Sequence, residues 1–127
     1  MSKLRVLIVE DEAITARATQ IMLESMGYEV VTIVDTGEAA VATAESTRPD
    51  LVLMDIRLRG KMNGIQAGVQ ISDQFALPIV FVTTYSVSEL CEQETIPERF
   101  HYLAKPIDVL DLSSLLDDMG ITPVNGD

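Results

Sequence analysis

Arg5-Val6-Leu7-Ile8-Val9-Glu10-Asp11-Glu12 joins an unbroken aliphatic run to three consecutive acids. A strand with one face in water alternates apolar and polar residues, so a run without polar interruption reads as a strand buried on both faces, as inside a parallel sheet. The acids end it. From Asp11 to Met26 the pattern turns helical, with Ile14, Ala18, Ile21 and Met22 on one predicted face, Glu12 as the expected cap and Gly27 as the stop.

The same strand-then-helix unit recurs along the chain. Tyr28 to Val34 reads as a second strand, and Asp35-Thr36-Gly37 starts an alanine-rich helix to about Ser46. Leu51-Val52-Leu53-Met54 is a third strand, followed by the loop Gly60-Lys61-Met62-Asn63-Gly64 and a helix from about Ile65 to Phe75. Pro78 opens a fourth strand, Ile79 to Val82, and a short helix is predicted over Val87 to Gln93. The fifth strand falls near Phe100 to Ala104, and the last helix, Val109 to Asp118, is amphipathic through Leu110, Leu112, Leu115 and Leu116. Five such units predict an α/β fold with an open, doubly wound, five-stranded parallel sheet and five helices, rather than an eight-unit barrel. Right-handed crossovers leave few topologies, and the commonest for five units is the flavodoxin-like order 2-1-3-4-5.

The 127 residues fit one domain, with a core at about 4–119 and a short tail, 120–127. Hydrophobic residues make up 47% of the chain but occur in short runs, none near the roughly 18 consecutive apolar residues of a membrane span. Nothing at the N-terminus resembles a secretory signal, so the expected location is the cytoplasm, without membrane attachment. A formal net charge of -11 repels phosphate backbones and argues against direct nucleic-acid binding. The single cysteine, Cys91, and the single histidine, His101, exclude an intrachain disulfide and a multi-cysteine or multi-histidine metal site.

In a parallel sheet the C-terminal strand ends lie along one edge, and ligands bind there at the switch point between the first and third strands. Glu10, Asp11 and Asp55 follow those two strands, while Thr83 and Lys105-Pro106 follow the fourth and fifth. Two carboxylates about 4 Å apart repel by roughly 4 kcal/mol at an effective dielectric near 20, so a cation is expected among them. Hard oxygen donors without histidine or cysteine suit Mg²⁺, with Asp11 and Asp55 as direct ligands and Glu10 acting directly or through water. With metal and Lys105 neutralising phosphoryl oxygens, the Asp55 carboxylate is placed to attack phosphorus, and Thr83 to donate its hydroxyl to one oxygen.

These segments carry a family resemblance. Val6-Leu7-Ile8-Val9-Glu10-Asp11-Glu12, Leu51-Val52-Leu53-Met54-Asp55-Ile56, Pro78-Ile79-Val80-Phe81-Val82-Thr83 and Tyr102-Leu103-Ala104-Lys105-Pro106 together resemble the response regulator receiver domain of two-component signal transduction. The resemblance implies that Asp55 is the phosphoacceptor, supplied by a histidine kinase or histidine phosphotransfer protein. It implies that the main-chain carbonyl of Arg57 completes the Mg²⁺ ligands from Asp11, Asp55 and Glu10. Thr83 and Tyr102 would be the switch pair, Lys105 the phosphate-binding lysine, and Pro106 a cis-proline leading into the last helix. It further implies a signalling protein rather than an enzyme, with weak self-catalysed phosphorylation and dephosphorylation. The surface reaching a downstream protein target, and allowing a homodimer, would be the fourth helix, fifth strand and last helix.

The chain departs from the commonest pattern of the family it resembles. Glu10 stands where aspartate is more frequent, Arg59-Gly60 where many relatives have proline, and Thr84 where alanine or glycine is usual. The loop after Asp55 is about one residue longer. In the implied geometry water reaches phosphorus between Arg57 and Tyr85, both large, so these two and Thr84 are expected to slow dephosphorylation. Two other readings share parts of the pattern. A phosphatase with an aspartyl-phosphate intermediate requires an acid two residues after the nucleophile, where this chain has Arg57. A flavin-binding flavodoxin requires a phosphate-cradling loop after the first strand, where Glu10-Asp11-Glu12 repels phosphate.

Overall fold

The structure, a computed structural model, describes residues 3–84 and 100–121. The helix predicted at Val87–Gln93, Tyr85, Cys91 and residues 122–127 lie outside the described residues. Five parallel strands, β1 (Arg5–Val9), β2 (Glu29–Val34), β3 (Leu51–Asp55), β4 (Ile79–Thr83) and β5 (His101–Ala104), form one sheet in the order β2-β1-β3-β4-β5. The helices among the described residues are α1 (Ala13–Ser25), α2 (Gly37–Thr47), α3 (Gly64–Phe75) and α4 (Val109–Asp118), the last being the predicted final helix. The strand order is the one expected from sequence.

The uninterrupted apolar runs serve two cores. Val6 and Ile8 of β1 point to the side covered by Leu23 of α1 and Leu112 and Leu116 of α4, while Leu7 and Val9 point to the side covered by Ala40 and Ala44 of α2 and Ile71 of α3. Successive strand residues face opposite sides, so a central strand buried twice must be apolar throughout. Burial of a side chain such as Leu7 or Leu53 contributes about 1.5–3 kcal/mol.

Two helical faces differ from expectation. In α1 the buried residues are Ala16, Thr19 and Leu23, whereas Ala18 faces solvent and Ile14 and Ile21 are 86% and 54% exposed. The helix also carries a second stripe, Ala16, Thr19 and Leu23, and packing against the sheet turns that one inward. In α4, Leu112 and Leu116 are buried one turn apart and Leu110 is 78% exposed, because two residues before Leu112 is the far side of a helix.

Helix starts fix the loops around the strand ends. Thr36 caps α2 by accepting the Ala39 N–H, and Asn63 and Gln66 form a reciprocal capping box that begins α3. Glu12 occupies the N-cap position of α1, but its carboxylate accepts the Thr15 hydroxyl at 2.8 Å instead of a main-chain N–H. Gly64 permits the closest approach in the fold: a side-chain carbon there would overlap the main-chain oxygen of Asp55 and lie 2.7 Å from Ile56 Cα. The first turn of α3 therefore rests directly on the end of β3.

Candidate functional site

The sheet register places the expected residues along one edge. Val9 pairs with both Val34 and Met54, Asp55 with Val82, and Thr83 with Ala104. The ladder runs on past the strands: Glu10 N–H donates to Val34 O at 2.9 Å, Ile56 N–H to Val82 O at 3.3 Å, and Lys105 N–H to Thr83 O at 2.8 Å. Main-chain hydrogen bonds thus fix the backbones that carry the pocket's acids and its lysine.

Glu10, Asp55 and Thr83 are buried, and Asp11 is partly so. Oxygens of Glu10, Asp11 and Asp55 lie within 4.8 Å of one another. One cation already lies among them: Lys105 Nζ donates to Glu10 Oε1 at 2.6 Å and to Asp55 Oδ2 at 2.9 Å. Asp55 Oδ1 accepts the Arg57 N–H at 3.2 Å, so the carboxylate is held at both oxygens. Glu10 Oε2 accepts the Glu12 N–H at 3.2 Å. Asp11 Oδ2 lies 3.9 Å from Nε of Arg59, whose side chain is largely exposed.

Charge and burial act against each other here. Burial, followed by the neighbouring Asp55 carboxylate, raises the Glu10 carboxyl above its usual range, and Lys105 offsets this only in part. Burial pulls the Lys105 ammonium down, but its hydrogen bonds to Glu10 and Asp55 outweigh burial and raise it, so it stays charged. Two carboxylates, Glu10 and Asp55, contact that lysine, Asp11 lies within 4.8 Å of both, and the donor set is all oxygen. Such a set fits a hard divalent cation such as Mg²⁺.

The other expected residues take distinct places. Thr83 ends β4 in full burial, and Tyr102 on β5, 36% exposed, pairs with Phe81 in register. Paired residues in a parallel ladder share a face, so Thr83 and Tyr102 lie on the same side of neighbouring strands. Thr84 and Arg57 are exposed at the rim, and Pro106 follows a cis peptide bond from Lys105. A groove of about 200 Å³ opens beside the carboxylates, between Thr15, Ala18 and Met22 of α1 and the Lys105-Pro106-Ile107 turn. The contact between Arg59 and Asp11 was not foreseen, because the hydrogen bonds and conformation of a loop set where Arg59 reaches.

A carboxylate held by lysine among metal-suited acids, beside a buried hydroxyl at the switch point of a 2-1-3-4-5 sheet, defines a phosphoacceptor signalling module. The chain matches the profile of the response regulator receiver domain over residues 6–117 and belongs to that family. Among curated proteins it is 39% identical over 108 residues to the transcriptional regulatory protein PdtaR of Mycobacterium tuberculosis, a match covering 85% of this chain and 52% of that protein. The chain thus spans about half the length of that relative. Among solved structures, the signal receiver domain of a modulated diguanylate cyclase from Desulfovibrio desulfuricans G20 superimposes with TM-score 0.78 at 37% identity, covering 90% of each chain. The receiver domain of the sensor histidine kinase PA1611 from Pseudomonas aeruginosa PAO1, with magnesium coordinated in its active-site cleft, gives TM-score 0.77 at 33% identity, covering 92% of this chain and 97% of that one. Neither the phosphatase nor the flavin-binding reading finds support among these relatives. No helix among the described residues is long and apolar enough to cross a membrane.

Proposed function

We propose that Asp55 accepts a phosphoryl group from the phosphohistidine of a histidine kinase or histidine phosphotransfer protein, and that the chain is a single cytoplasmic receiver domain. The observation that carries this reading is the double hold on the Asp55 carboxylate by Lys105 Nζ and Arg57 N–H, beside Glu10 and Asp11. One carboxylate oxygen forms a bond to phosphorus as the bond from phosphorus to the donor imidazole breaks, leaving an acyl phosphate and a free histidine. Asp11, Asp55 and the Arg57 carbonyl would hold Mg²⁺, with Glu10 acting directly or through water. Held there, such an ion would offset repulsion between the incoming phosphoryl oxygens and the acids. Lys105 is close enough to pass from Glu10 to a phosphoryl oxygen, which recovers its charge partner in a new form.

Transfer needs the donor histidine to reach a pocket at the sheet edge. On α1, Ala18 lines the groove beside that pocket, and with the exposed Ile14 and Ile21 it forms a stripe that suits an apolar helical face of the donor. The switch reading pairs Thr83, turning its hydroxyl to the new phosphoryl oxygen, with Tyr102 filling the space released. The exposed Tyr102, Val109 and Leu110 support an output or homodimer surface on β5 and α4, together with the helix predicted at Val87–Gln93. Weak self-catalysed dephosphorylation follows from water reaching the same phosphorus.

Incubation with a phosphorylated histidine donor, with and without Mg²⁺, tests the assignment. Wild type becomes labelled in an acid-stable, hydroxylamine-labile form, and Asp55→Asn or omission of Mg²⁺ abolishes labelling. Full labelling of Asp55→Asn, confirmed as folded by circular dichroism, removes Asp55 as the acceptor. Undiminished transfer in excess chelator removes the metal.

A further inference from the structure

The loop between Asp55 and α3 is tied to α2 rather than left to solvent. Glu38, in the first turn of α2, accepts the Met62 N–H at 3.2 Å, and an isolated parallel bridge joins Thr36 to Arg59. Gly60 makes this path possible: its φ of +96° is a left-handed conformation that side chains resist, and a side-chain carbon there would come within 3.0 Å of the Glu38 carboxylate. With its backbone so fixed, Arg59 extends its guanidinium to within 3.9 Å of Asp11. Lys105 meanwhile spans Glu10 and Asp55. All three pocket carboxylates therefore have a basic side chain beside them.

We propose that Arg59 is a built-in competitor of Mg²⁺ at Asp11, holding the metal affinity of this receiver below that of the same pocket without the arginine. The inference rests on the proposed role of Asp11 as a metal ligand. A guanidinium and a hydrated divalent ion seek the same carboxylate lone pairs, and they repel each other when both are near. Metal binding must therefore displace Arg59 from Asp11 or accept its repulsion. The arginine side chain is 75% exposed, so displacement is easy and the competition modest. It differs from the role of Lys105, which contacts the phosphoacceptor and has a place in the phosphorylated state.

Calorimetric titration of the full chain with MgCl₂, beside melting temperatures measured without metal, tests this. Arg59→Ala should bind Mg²⁺ about two- to five-fold more tightly than wild type at low ionic strength, the range an exposed ion pair allows. Arg59→Lys should retain at least part of the weakening, and the gap between Arg59→Ala and wild type should shrink in 0.5 M KCl, where a Debye length of a few ångströms screens exposed charge. Equal or weaker binding by Arg59→Ala overturns the inference, as does an Arg59→Lys variant identical to Arg59→Ala. Asp11→Asn in the same titration separates the two levels. If it loses Mg²⁺ binding while Arg59→Ala changes nothing, only the competition is wrong; if it binds as wild type does, or wild type binds none, the metal assignment falls and the inference with it.

Discussion

At the scale of single residues, the site leaves the Asp55 carboxylate, the proposed phosphoacceptor, little freedom. Asp55 takes Lys105 on one oxygen and the Arg57 N–H on the other, so its carboxylate plane is set before any donor arrives. On the proposed reading, the lifetime of an acyl phosphate at Asp55 would depend on the side chains that follow Asp55 and Thr83. Arg57 follows Asp55 by two residues, with its main chain already bound to the carboxylate and its side chain exposed, and Thr84 sits exposed after Thr83. A large side chain there obstructs in-line approach of water, and an arginine also holds phosphoryl oxygens. Arg57→Ala and Tyr85→Ala should each speed loss of label from Asp55 by about three- to ten-fold, the effect of moderately misplacing one reactant. Decay of purified phosphoprotein after removal of donor measures this. An unchanged rate in the double substitution rules out access control by these residues.

At the scale of elements, the first turn of α3 and the exposed face of α1 carry the sharpest expectations. Gly64→Ala must push α3 off the end of β3, since its new carbon overlaps Asp55 O, so a loss of about 2–4 kcal/mol is expected, as for overpacking that the backbone cannot relieve. Urea melts measure it, and a loss below the range of ordinary surface substitutions would show that α3 can retreat freely. Ile14→Ser and Ile21→Ser should do the reverse, changing stability by less than about 0.5 kcal/mol while slowing phosphotransfer from a protein donor and leaving labelling by acetyl phosphate intact. Equal slowing with both donors would locate the defect in the pocket instead. This face also marks what was legible in the sequence and what was not. Strand positions, their order and the convergence of Glu10, Asp55, Thr83 and Lys105 were readable, because burial on both sheet faces and C-terminal strand ends leave strong local signals. The rotation of α1 was not, because Ile14-Ala18-Ile21 and Ala16-Thr19-Leu23 are both plausible stripes and only packing against the sheet chooses between them. The reach of Arg59 was also hidden, since it depends on Glu38 and Thr36, about twenty residues earlier.

At the scale of the whole molecule, acids are concentrated at one sheet edge while the opposite end of the α1–α4 layer is closed by a neutral group. Tyr28, 1% exposed after the turn that ends α1, donates its hydroxyl to Ile121 O at 3.3 Å, linking the first β–α unit to the segment following the last helix. Burial, and then the charge of Asp117, raise its phenol above the ordinary value near 10. A raised acid contributes stability that is complete below the pKa of the unfolded chain and is lost as pH climbs through the folded value, because only the unfolded state then releases its proton easily. Wild type should accordingly lose stability above about pH 10 more steeply than Tyr28→Phe, which has no proton to lose. At pH 7, where the hydroxyl is protonated in both states, the phenylalanine variant lacks a long, neutral hydrogen bond and should be less stable by about 0.5–1.5 kcal/mol. The two stability curves, taken from urea melts between pH 7 and 11.5, should therefore converge from about pH 10 upward, and the comparison cancels the other alkaline titrations, Lys105 included. A constant gap across that range would mean that the Tyr28 hydroxyl ionises as freely in the folded protein as in the unfolded chain, and that the α1–α4 layer is open to water at this end.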